Sequence, residues 1–294
     1  MGILLGLLSA LCWGSADFLV RYSTRLIGTY RTLFFMQFIG LFLLSLYLLT
    51  TGELVRLIVN NTWQPWACAC LVAFLSMLGS LALYRAFEVG ILTIVSPITS
   101  SYAALTVALS LLGGERIGWL HAVGIGTVLL GVIFVATVFT RQTKLEKEQR
   151  VKRRMPVPRG VGWAILAAVS FGVAFWVLGF YVTPRLGGII PAWLIRLETP
   201  LVLALCAPLL HQSLKPPRWS VWRYLVAISL LDTAAFVTYS FGLTQGQIAI
   251  VSVLSSLYSA VTVLLAWIFI REQLQWSQWF GIGVVFAGIV LVNI

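Results

Sequence analysis

Residues 90–132 read GILTIVSPITSSYAALTVALSLLGGERIGWLHAVGIGTVLLGV, and residues 246–289 read GQIAIVSVLSSLYSAVTVLLAWIFIREQLQWSQWFGIGVVFAGI. Gly90, Ser96, Tyr102 and Thr106 recur as Gly246, Ser252, Tyr258 and Thr262, always 156 residues on. Glu115, Trp119, Gly124, Gly126 and Gly131 recur one residue later in phase, as Glu272, Trp276, Gly281, Gly283 and Gly288. Nearer the start, Trp13-Gly14 corresponds to Phe171-Gly172. Self-similarity in this order marks an internal duplication. Each copy is also apolar for about 20 residues at a time, the length that crosses a bilayer as a helix.

Working outward, cuts at charges, glycines and prolines give ten such runs. They are 2–20, 32–50, 65–84, 91–112, 118–139, 161–182, 189–210, 222–242, 247–270 and 276–293. Apolar and aromatic residues make up 60% of the chain and charged residues 10%, against about 25% charged in a soluble domain. A soluble fold of 294 residues leaves too much surface wet to hide that content. The runs are continuous, not alternating, so the spans are helices and not barrel strands. The predicted fold is an all-α integral membrane protein of ten transmembrane helices. Its two five-helix repeats cover 1–139 and 161–294, with a basic linker over 140–160. Five helices per repeat turn the second copy upside down, the inverted-repeat architecture of many secondary transporters.

The net charge of +11 does not describe a nucleic-acid-binding face, because the basic residues sit in the connections between spans. Connections on one side carry 16 Lys and Arg, eight of them in the linker; the other side carries three. The positive-inside rule places the basic loop in the cytoplasm and both termini outside, in a plasma or inner membrane. The apolar run at Met1 has no basic segment before it and no small-residue cleavage site after it, so it reads as the first span. Cys12, Cys68, Cys70 and Cys206 lie in apolar runs without metal-ligand spacing and read as small residues at helix contacts.

Pro97 falls mid-helix, where it removes a backbone hydrogen bond and kinks the span. It sits among Ser96, Thr99, Ser100 and Tyr102, and the ninth helix carries the matching Ser252, Ser255, Ser256 and Tyr258. Such residues make interhelical hydrogen bonds or form two polar walls around a midplane site. Trp13, Tyr84, Phe171 and Tyr239 lie deep in their spans; they pack the core or line a cavity for apolar and aromatic solutes. Ionisable residues inside a span are functional candidates because burying charge in lipid is costly. Asp17, in the last turn of the first run, can reach water or pair with Arg21 at i+4. Asp232, near the middle of the eighth helix with no local cation, is the better candidate for proton coupling or for binding a substrate amine. Arg196 and Glu198 are two apart and do not face each other on a helix, so each needs another partner.

Taken in order, the motifs are Trp13-Gly14-Ser15, Arg31, Tyr84-Arg85-Ala86, Ser96-Pro97 and Gly114-Glu115-Arg116, answered by Phe171-Gly172, Arg196 and Arg271-Glu272. Over nearly its whole length the chain resembles the EamA-type permeases of the drug/metabolite transporter superfamily. The resemblance implies secondary transport by alternating access. It implies a cavity between the halves near the first, third, fourth, sixth, eighth and ninth helices. The substrates it implies are amino acids, other small metabolites and cationic drugs, most often exported. Two features depart from the family: Val253 replaces a common proline, and the charge bias puts the termini on the side opposite to the usual one.

No G-x4-G-K-[ST], H-E-x-x-H or G-x-S-x-G sequence is present. No catalytic residue, cofactor or metal site is expected. The expected partners are a small-molecule substrate, the lipid bilayer and protons as coupling ion. Duplication lets a monomer form a complete pathway. The alternative is an intramembrane lipid-handling protein or enzyme, for which the chain offers Asp17, Asp232 and scattered serines.

Overall fold

The computed structural model describes residues 1–53, 62–136, 160–245, 248–270 and 276–293. The linker up to residue 159 and the Arg271-Glu272 pair lie outside the described residues. The first half contains α1 (Gly2–Ile27), α2 (Thr29–Thr51), α3 (Trp63–Val89), α4 (Leu92–Ser100), α5 (Tyr102–Leu112) and α6 (Trp119–Ala136). The second contains α7 (Val161–Val177), a π turn (Leu178–Val182), α8 (Thr183–Leu186), α9 (Ile189–Cys206) and α10 (Trp219–Gln245). It continues with α11 (Ile248–Ser255), α12 (Tyr258–Leu265), a second π turn (Ala266–Ile270) and α13 (Trp276–Asn293).

Among the described residues, eight helical spans are long and apolar enough to cross a bilayer. α4–α5 and α11–α12 each count as one of them, and α6 and α13 are apolar over the shorter stretches Trp119–Gly131 and Trp279–Gly288. The chain is therefore a multi-pass, all-α membrane protein. Charges do not end its helices where the sequence cuts were placed. α1 runs on through Arg21 and Arg25 and stops at Gly28, whose φ of 84° is one that a side chain would oppose.

Matched breaks interrupt the α4–α5 and α11–α12 spans. α4 gives way to α5 at Ser101, and α11 to α12 at Ser256-Leu257. The backbone tightens identically in both: Ala104 N–H donates to Ser101 O, and Ala260 N–H to Leu257 O, each three residues back. Since the second break has Val253 where the first has Pro97, proline is not its common cause. The shared device is serine. Ser100 and Ser101 bond back to Pro97 O and Ile98 O, and Ser255 and Ser256 to Ser252 O and Val253 O. Such back-bonds compete with the helical ladder and bend it.

The halves interlock reciprocally. Thr106 of α5 donates to Gly172 O of α7 at 3.0 Å, and Thr262 of α12 donates to Gly14 O of α1 at 3.2 Å. Small residues let membrane helices approach closely, and here glycine is required. A Cβ on Gly14 would stand 2.5 Å from Val261 Cβ, and one on Gly172 would stand 2.8 Å from Leu105 Cδ2. The four cysteines are free thiols, and Cys70 is exposed on α3, so it is not a helix-contact residue as its apolar setting suggested.

Candidate functional site

One cavity lies where α1, α2, α3, α5, α7, α9, α10 and α12 converge. Its volume is about 60 Å³, room for a few waters. None of its lining residues is exposed. Both helix breaks open onto it. Tyr102 and Tyr258 are the first residues after them, and their rings stack across the cavity wall at 6.3 Å and 13°. α7 adds Phe171 and Phe175, stacked at 5.7 Å, and Trp13 of α1 stacks on Phe175 at 5.6 Å. Tyr84 of α3 turns its hydroxyl away to Met36 Sδ at 2.8 Å, so it presents ring rather than phenol.

Charge enters the aromatic box at two places. Asp232 of α10 accepts from Arg196 Nη2 of α9 at 2.7 Å and from Trp13 Nε1 at 3.1 Å. Arg196 is held in turn by Thr233 Oγ1 at 2.9 Å and Ala192 O at 3.4 Å, and lies over the Phe236 ring at 5.8 Å. Asp232 has no cation on its own helix; its partner comes from another helix, which intrahelical spacing cannot show. The reading of Asp17 is corrected. It is 6% exposed and more than two turns short of the end of α1, so it faces the cavity instead of water. Among the described residues it has neither hydrogen bond nor ion pair. Two neutral groups on the same wall are also unsatisfied, Gln37 Oε1 and Ser76 Oγ, both fully buried. Both can accept a hydrogen bond from a group inside the cavity.

The model of the EamA-like transporter family matches residues 1–137 and again 158–294. The chain belongs to that family. Its members are transporters of the drug/metabolite superfamily, and the EamA unit occurs twice here. No curated protein matches the chain. Among solved structures, a crystal structure described only as that of a protein superposes with a TM-score of 0.74. It covers 100% of this chain and 98% of its own at 18% identity, a likeness of fold.

In this EamA-like chain Trp13, Tyr84, Tyr102, Phe171, Tyr258, Asp17 and Asp232 are brought onto one cavity. Ser96, Pro97, Ser100, Ser252, Ser256 and Tyr239 are buried behind its wall. The two polar serine walls are therefore not walls: Ser100 and Ser256 bond to their own helices, and Ser252 meets Tyr239 Oη at 2.8 Å. Sequence reasoning missed Gln37, Ser76, Phe175 and Phe236. Gln37 had a legible signal, an amide inside the apolar run 32–50. Away from the cavity, Glu115 accepts the Ala249 N–H at the start of α11, at 3.3 Å. Burial pushes its carboxyl above the ordinary glutamate range, and that N–H holds it partly down.

Proposed function

We propose that this EamA-like protein is a secondary transporter of small amine-bearing solutes, amino acids or organic cations, working by alternating access at the aromatic cavity. The observation that carries the reading is Asp17. It is a buried carboxyl that pairs with no cation among the described residues, on one cavity with the unpaired Gln37 Oε1 and Ser76 Oγ and seven aromatic rings. A protonated amine satisfies these groups together: its N–H groups reach the acceptors, and its charge is drawn to the ring faces. Asp232 shares the wall but already answers Arg196 and Trp13. Proton coupling is therefore assigned first to Asp17, where a proton and a substrate cation compete for one site, with Asp232 in support.

The architecture proposed is ten crossing helices in two inverted repeats, residues 1–139 and 161–294, joined by a cytoplasmic basic linker. The reciprocal Thr106–Gly172 and Thr262–Gly14 bonds and the matched breaks support a pseudo-twofold relation. Such a relation provides two alternative ways of closing one site. A monomer is sufficient for this pathway.

The test is counterflow of labelled amino acids and quaternary cations into liposomes containing the purified protein, with and without a pH gradient. Saturable exchange of one class, accelerated by the gradient, is the expected result. No exchange of any member by folded protein would refute the amine reading.

A further inference from the structure

At one end of the bundle an open groove of about 610 Å³ lies among the ends of α1, α2 and α3, the start of α7, and Leu210–Ser213. Its floor is apolar, with Leu81 of α3 and Leu166 of α7, and Trp163 lies half exposed at its edge. Exposed tryptophan at a span end marks the headgroup level of a bilayer. The charges within it do not cancel. Glu88 is fully engaged: it accepts from Arg85 Nη1 at 3.0 Å, from Thr29 Oγ1 at 2.7 Å and from Thr29 N–H at 3.3 Å. Arg31 gives Nη2 to the neutral carbonyl of Lys215 at 2.6 Å. Its Nε is buried without a partner, and among the described residues it meets no carboxylate.

We infer that this groove holds one anionic phospholipid of the adjoining leaflet, with its phosphate on Arg31 and Arg85 and an acyl chain along Leu81 and Leu166. A phosphate supplies the counter-charge that Arg31 lacks and forms charge-assisted bonds with both guanidinium groups. The apolar floor extends the site in the direction an acyl chain runs, and basic pockets at the membrane surface take anionic headgroups in this way. The inference rests on the chain being a membrane protein and not on the transport reading.

The experiment is native mass spectrometry of the full chain released from detergent, with phosphatidylglycerol or phosphatidylcholine of identical acyl chains added. The wild type retains one phosphatidylglycerol and far less phosphatidylcholine. Arg31→Gln lowers retention at least about tenfold, the size of one lost charge-assisted bond, and Arg31→Lys restores part of it. Arg85→Gln, at an exposed side chain that does not hold the fold, weakens retention on its own. Equal retention of the two lipids, or of phosphatidylglycerol by wild type and both Gln variants, overturns the assignment. Displacement by soluble glycerol phosphate overturns it too, in favour of a site for free phosphate.

Discussion

Arg196 Nη2 stands 2.7 Å from Asp232 Oδ2, an ion pair between α9 and α10 whose cationic side chain is 1% exposed. The pair fixes the cavity wall because Asp232 also receives the Trp13 indole, so three helices meet at one carboxylate. Burying both charges gives little net stability, whereas removing one leaves the other stranded.

Asp232→Asn should accordingly lower unfolding free energy by about 3–5 kcal/mol, as for other broken buried pairs. The double variant Asp232→Asn/Arg196→Gln should recover most of that loss. Thermal unfolding in detergent of wild type, Asp232→Asn, Arg196→Gln and the double variant forms the cycle. A single variant as stable as wild type would show that the pair does not hold the wall.

Asp17→Asn should behave differently, since no partner is stranded. Its stability should stay within about 1 kcal/mol of wild type, as expected where no buried pair is broken. Exchange at equal substrate concentrations on the two sides should need more substrate to saturate, because the amine loses its counter-charge, and acceleration by a pH gradient should disappear. Gradient-driven uptake surviving in this variant would remove Asp17 from coupling.

Gly40 of α2 backs the same pair. A Cβ there would lie 2.9 Å from Arg196 Nε and 3.0 Å from Thr233 Oγ1. Gly40→Ala should cost about 1–3 kcal/mol through overpacking, whereas Gly126→Ala on α6, where a Cβ meets nothing within 4 Å among the described residues, should be neutral. Equal melting temperatures for the two variants would contradict the packing at Arg196.

Glu115 makes stability depend on pH. Its folded carboxyl titrates above the ordinary glutamate range because burial disfavours the charge. The stabilisation is therefore complete below the ordinary range and is lost as pH rises through the higher folded value. In Glu115→Gln, melting temperature should vary less with pH from acid to neutral. Parallel curves for the two proteins would exclude the assignment.

The spans were legible because a bilayer demands long uninterrupted apolar text, which neither charges near their ends nor glycines obscure. The repeat was legible through residues with mechanical reasons to recur. Gly14 and Gly172 lie where helices touch, and Thr106 and Thr262 bond to their carbonyls. The stacked tyrosines followed from the same register. Pro97 misled by offering a local cause for a break that α11–α12 makes with serines alone. The serines leave interhelical bonding and cavity walls both open in the sequence, which shows a hydroxyl but not whether its own helix consumes it. The Arg196–Asp232 pair was hidden for another reason. Its partners are 36 residues apart on separate helices, and only packing joins them.

Alternating access requires that the Asp17 cavity open in turn to both sides of the membrane. Ser76, buried with its hydroxyl unpaired on the cavity wall, is the place to ask. With Cys12, Cys68, Cys70 and Cys206 replaced, Ser76→Cys in oriented liposomes is exposed to a membrane-impermeant thiol reagent from either side. Slow labelling from both sides, suppressed by the transported amine, is expected. Labelling from one side only, or only by a lipid-soluble reagent, would contradict alternating access at this cavity.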